Sequence, residues 1–203
     1  MWEFLRAGGP FMYLLLLTSV VGLTFIIERG LALRWSKVIP SAVESAIENC
    51  RTPQDFPMLN RTCQQMPSAA SRLLLLASDN LHWPRAENVD VIQTRARHEV
   101  AQLERGLVVL EIVVGIAPLL GLVGTVHGLI TLFGDLGRAG MSDNTVMAKG
   151  IAIALNTTLT GLLIAIPSLV AWSYYNKKVE LYAIEMATLC DEFLRRFYPH
   201  PPK

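Results

Sequence analysis

The stretch from Ile112 to Gly134 reads IVVGIAPLLGLVGTVHGLITLFG, about 23 residues in which His127 is the one side chain able to carry a charge. At about 1.5 Å per residue such a helix crosses the roughly 30 Å hydrocarbon core of a bilayer. Two further runs have the same character. FMYLLLLTSVVGLTFII follows Pro10 and is closed by Glu28 and Arg29; IAIALNTTLTGLLIAIPSLVAWSYYN extends from Ile151 to Asn176. The first run lacks the basic start, short apolar core and small-residue cleavage site of a secretory signal, so it is read as a retained span. A hydrophobic content of 52%, a charged content of 17% and a mean hydropathy of +0.37 fit the same class. The expected fold is an all-α membrane protein with three transmembrane helices, the second and third extended into the cytoplasm.

Basic residues set the expected orientation. Arg29, Arg34, Lys37, Arg95, Arg97, Arg105, Lys177 and Lys178 flank one side, against Arg6, Arg138 and Lys149 on the other. The reading that follows is a periplasmic N-terminus (1–9), a first span (10–27) and a cytoplasmic helical segment (28–107). A second span (108–134), a periplasmic loop (135–149), a third span (150–176) and a cytoplasmic C-terminal helix and tail (177–203) complete it. Trp35, Trp172, Tyr174 and Tyr175 suit either interfacial anchoring or simple packing. Within the cytoplasmic segment, the polar, proline-bearing stretches Arg51–Pro57 and Leu81–Pro84 divide short helices. Val89, Ile92, Ala96, Val100, Leu103 and Leu107 form one helical stripe, and Val179, Tyr182, Met186, Leu189, Phe193 and Phe197 another. These stripes can pack on each other or on neighbouring subunits. Pro199, Pro201 and Pro202 end the chain's last helix.

Several function classes fall away. A net charge of +1 gives no concentrated basic surface for nucleic acid. Cys50, Cys63 and Cys190 have no C-x-x-C spacing and read as reduced structural thiols, while His82, His98 and His200 have no paired ligands, so neither a metal nor a cofactor is expected. No Walker A lysine, G-x-S-x-G elbow or H-E-x-x-H is present, and the chain is not expected to be an enzyme.

The polar residues inside the spans are the candidate site. Glu111, Pro118 and Thr125 are spaced by seven and lie near one face of the second helix. Pro118 withdraws a backbone donor, which calls for protein or water beside it. Gly121, Gly124 and Gly128, with Gly161 in the third span, offer small surfaces for close helix packing. Asn156, Thr157, Thr158 and Thr160 cluster in the third span, either assisting proton movement or serving as interhelical hydrogen-bond glue. His127 sits toward the periplasmic end, where a solvated or headgroup contact is the plain reading.

LERGL from Leu103, APLLGLVGTVHG from Ala117 and GIAIALNTTLTGLLIAIP from Gly150 together resemble the ExbB and TolQ branch of the MotA/TolQ/ExbB proton channel family. The resemblance implies a homopentameric ring around a dimer of single-span ExbD- or TolR-like partners, with a TonB- or TolA-like protein as a further partner. It also implies a bacterial inner-membrane location and use of the proton motive force for outer-membrane transport or envelope processes. In that family an aspartate of the partner takes up the proton and ring threonines line its route; Thr125 and Thr158 match those threonines. The branch commonly has an acidic residue at the position of Ile153; either Glu111 compensates from the other helix, or Thr157 and Asn156 bind the partner carboxylate through hydrogen bonds. The alternative function is a non-conducting membrane scaffold that gathers partner proteins.

Overall fold

A computed structural model describes residues 9–139 and 144–198. The expected N-terminal segment before Gly9, the middle of the expected loop and the prolines after Tyr198 lie outside the described residues. Among the described residues the chain is helical, without strands. The elements are α1 (Gly9–Ala32), α2 (Trp35–Val38), α3 (Ser41–Asn49), a short 3-10 turn (Pro53–Asp55), α4 (Phe56–Gln65), α5 (Ala69–Asp79), α6 (Arg85–Glu104), α7 (Leu107–Ala139) and α8 (Asn144–Phe197). Three of these, α1, α7 and α8, are long and apolar enough to cross a membrane. The chain divides into two compact units. One contains the residues up to Arg29 with Gly106–Tyr174, the other Gly30–Arg105 with Tyr175 onward.

The first unit is made of α1, α7 and the apolar part of α8. Helix α7 is interrupted from α6 by a turn at Arg105 and Gly106, so the stripe read from Val89 through Leu107 belongs to two helices. The Arg29 side chain lies over Gly106, where the absence of a Cβ leaves room for it. The helices also outrun the expected spans. Residues 135–139 continue α7 and 144–149 open α8, because a helix need not end where the hydrocarbon ends. Helix α8 is 54 residues long, far more than the about 20 that a bilayer requires.

The second unit is built from α2 to α6 and the last part of α8. Its helix ends are satisfied locally. Ser68 Oγ accepts from Ser71 N at 3.1 Å to cap α5, and the Asp55 carboxylate accepts from the backbone N–H groups of Thr52 (2.9 Å) and Arg51 (3.0 Å). The stripe on α8 is buried: Tyr182, Met186 and Phe193 form its centre, and the Tyr182 hydroxyl donates to Leu33 O at 2.7 Å. Phe56 packs edge-on to Phe197, with ring centroids 4.7 Å apart, and Arg196 donates to the Ile47 and Cys50 carbonyls at the end of α3. Asn88, fully buried, donates to Ala77 O and the Tyr198 hydroxyl, and that hydroxyl donates onward to Trp83 O.

One charge is buried in this unit. Glu99 is 1% exposed and accepts from Arg72 Nε at 2.9 Å and Nη2 at 2.5 Å, while Arg95 Nη2 lies 2.9 Å away. Burial pushes the carboxyl's pKa up, but hydrogen bonding to Arg72 and the charges of Arg72, Arg95 and His98 outweigh it and hold it below the usual carboxylate range. A carboxylate with a depressed pKa contributes stability that is complete above its unfolded value and is lost as pH falls through the folded one. Removing a partner leaves an uncompensated buried charge, so Arg72→Met is expected to cost about 3 kcal/mol; Glu99→Gln, which leaves both arginines partly in water, costs less. Cys50, Cys63 and Cys190 are all buried in this unit, and burial pushes Cys63 to about 11 and Cys190 to about 12. A thiol-reactive fluorogenic melt therefore reports its unfolding, and the gap between wild type and Glu99→Gln should narrow as the melt is moved to acid pH.

Candidate functional site

Hydroxyl groups inside a bilayer need acceptors, and the nearest is the carbonyl four residues back on the same helix. Thr18 donates to Leu14 O at 2.8 Å, Thr24 to Val20 O at 2.7 Å and Thr160 to Asn156 O at 2.8 Å in this way. Three threonines do more. Thr125 Oγ1 on α7 reaches the Ala154 carbonyl of α8 at 3.0 Å and Thr157 Oγ1 at 3.2 Å, and it is also hydrogen-bonded to Thr158 Oγ1. Thr157 and Thr158 each donate back to the Gly121 carbonyl of α7, at 3.2 and 3.1 Å. Thr157 also reaches Ala154 O at 2.7 Å, and Thr125 reaches Gly121 O at 3.1 Å.

Three hydroxyl protons therefore share two carbonyls and each other, an arrangement with more contacts than protons. Each hydroxyl has one proton and two lone pairs, so the proton positions can rotate from one pattern to another without breaking the cluster. Thr157 is 1% and Thr125 9% exposed; Thr158 is half-buried and gives the cluster its open side. On α8 the neighbours of Thr158 at helical spacing, Leu155 and Leu162, are exposed and apolar.

The cluster exists because the two backbones approach closely. A Cβ on Gly161 would stand 2.5 Å from Ala117 O and 3.2 Å from the Gly121 Cα; one on Gly121 would stand 2.9 Å from Thr157 O. At Gly124 a Cβ would meet Thr157 Oγ1 at 3.0 Å, and at Gly128 the Ala154 Cβ at 3.1 Å. Of the sequence candidates, Thr125, Thr157, Thr158, Gly121, Gly124, Gly128 and Gly161 meet at this crossing. Asn156 is half-buried and supplies its carbonyl to Thr160. Pro118 is half-buried inside α7, one turn before Gly121. Glu111 is exposed and stands about 21 Å along the α7 axis from Thr125, outside the cluster. No group of three or more histidine, cysteine or acidic side chains could hold a metal ion among the described residues.

The MotA/TolQ/ExbB proton channel family matches the chain over residues 69–188, which takes in α5 through most of α8. The chain is 32% identical to a biopolymer transport protein, ExbB-like 1, of Synechocystis sp., across 98% of this chain and 82% of that protein. It is 27% identical to the Tol-Pal system protein TolQ of Pseudomonas aeruginosa, across 95% and 90%. A biopolymer transport ExbB homolog of Methanothermobacter thermautotrophicus is 29% identical, across 88% and 63%.

The glycine contacts carry a direct consequence. Gly161→Ala forces a methyl group into the Ala117 carbonyl and is expected to cost about 1–3 kcal/mol through overpacking. Gly115→Ala, whose Cβ meets nothing within 4 Å, should be neutral or slightly stabilising because alanine favours the helix. Thermal melts of the detergent-solubilised variants separate the two.

Proposed function

Since the chain belongs to the MotA/TolQ/ExbB proton channel family, we propose that it is the ring subunit of an inner-membrane motor driven by the proton motive force. The ring, a homopentamer in this reading, surrounds a dimer of single-span ExbD- or TolR-like partners and works on outer-membrane transport or envelope processes through a TonB- or TolA-like protein. The N-terminus faces the periplasm and the C-terminal part of α8 the cytoplasm, the arrangement that the distribution of arginine and lysine favours. The chain carries out no reaction on a substrate. Its work is to place proton-handling groups against a partner helix.

The observation that carries this reading is the Thr125–Thr157–Thr158 cluster, with Thr158 open at an apolar helix face. An ionised carboxylate on a partner helix is costly in so dry a setting. The Thr158 hydroxyl, turning from Gly121 O to the partner, offsets part of that cost with a charge-assisted hydrogen bond of about 1.5–3 kcal/mol. Protonation of the carboxylate weakens that bond and frees the partner to move, while Thr125 and Thr157 accept and return the hydroxyl protons. Threonine is too weak an acid to hold the charge itself, so the titrating group belongs to the partner.

Proton flux through liposomes carrying this chain with its single-span partner tests the reading. Thr158→Val keeps the shape and removes the hydroxyl, and should lower flux by at least tenfold. Thr160→Val, which removes a hydroxyl bonded within its own helix, should leave flux near wild type. Equal flux in wild type and Thr158→Val would remove the cluster from the route, and absence of flux in wild type would favour a scaffold that only gathers partners.

A further inference from the structure

A cavity of about 270 Å³ opens beside the threonine cluster, between the start of α1, the later turns of α7 and the early turns of α8. Helix α7 contributes His127, Thr131 and Asp135 to its wall, spaced by four and therefore in a column of about 6 Å steps on one helix face. All three are exposed. The Phe11 ring stands edge-on to the His127 imidazole, with centroids 5.4 Å apart, and fixes it at the wall. Thr157 of α8 forms another part of the same wall. Its hydroxyl leads through Thr125 Oγ1 to Thr158, so one unbroken series of hydroxyls joins the cavity to the cluster's open side.

An imidazole and a carboxylate on the later turns of an apolar helix are tolerable where they face water rather than lipid. The cavity is large enough for several water molecules at roughly 30 Å³ each. Neither α1, through Gly9, nor α8, through Gly150, Ile153, Ala154 and Thr157, adds a titratable or charged group to the wall. Among the described residues His127 and Asp135 are its only ionisable groups.

We propose that this cavity is a water-filled vestibule joining one membrane surface to the threonine cluster, in which Asp135 near the mouth and His127 along the wall exchange protons with the vestibule's water. The role in proton transfer rests on the proton-driven reading above; the presence of water does not. Each group takes a proton from water on one side and returns one on the other. Each hydroxyl of Thr157, Thr125 and Thr158 accepts a proton at a lone pair as it gives up its own, so charge passes and none of them is left ionised.

Two measurements test the proposal. Single cysteines at Thr131 and Ile153, inside the cavity, and at Ile130 and Phe133, exposed on α7 but off its wall, are treated in liposomes with a membrane-impermeant cationic methanethiosulfonate. The native thiols are buried, and the unsubstituted chain supplies the baseline. Residues 131 and 153 should label at least tenfold faster than 130 and 133. In the complex with the single-span partner, His127→Gln and Asp135→Asn should each lower proton flux by about tenfold, with a thermal melt like that of wild type. Failure to label 131 and 153 while wild-type flux persists would overturn the vestibule alone. Labelling with undiminished flux in both variants would overturn the proton exchange by these side chains. A wild-type complex without flux would overturn the proton role together with the reading it rests on.

Discussion

The close crossing of α7 and α8 is the constraint on which the membrane unit depends. At Gly161 the carbonyl of Ala117 occupies the space that any other residue would need for its Cβ, and at Gly121 the carbonyl and Cα of the opposite helix do the same. Lipid provides no hydrophobic drive to hold two such helices together, so contact between bare backbones has to come from van der Waals fit and hydrogen bonds. The fit then decides what the threonines do. Where the neighbouring backbone is out of reach, as at Thr18, Thr24 and Thr160, the hydroxyl returns to its own helix. Where it is within reach, the hydroxyls of Thr125, Thr157 and Thr158 bond across and become a shared network.

This explains why part of the site was legible in the sequence and part was not. Charge-free runs of bilayer length announced three helices, and the glycines and threonines marked which segments were unusual. Rotation about the helix axis was not legible. Asn156, Thr157, Thr158 and Thr160 look equivalent as a polar cluster, yet at about 100° per residue only some can point at α7, and that depends on which face of α8 the glycines hold inward. Glu111 illustrates the other blind spot. A seven-residue spacing places it near the face of Pro118 and Thr125, but shared azimuth is not shared depth, and about 21 Å of helix separates it from the cluster.

The turn at Arg105 and Gly106 was hidden for a different reason. The apolar stripe runs through it without a change of period, and the side chain that lies over Gly106, that of Arg29, comes from far away in the chain. His127 was a lone histidine in the sequence. The signal that could have given it a context was the spacing of His127, Thr131 and Asp135 by four, since three polar groups in one column at the end of an apolar helix ask for a common solvent.

Helix α8 has two surfaces of different character along its length. Up to Asn176 its exposed residues are largely apolar and its inward face is small, with Ala154, Gly161 and Ala165 buried. Beyond Lys177 the burial narrows to the stripe of Val179, Tyr182, Met186 and Phe193, with charged residues between. The charge distribution follows the same division. In the second unit the buried Glu99 is answered by two arginines of the same unit. In the membrane unit the cluster is made of hydroxyls and carbonyls alone, and Ile153 keeps α8 from adding a charge to the neighbouring cavity wall. Hydroxyls and carbonyls include no strong acid, so under the proton-driven reading proposed above the titrating carboxylate has to come from another molecule.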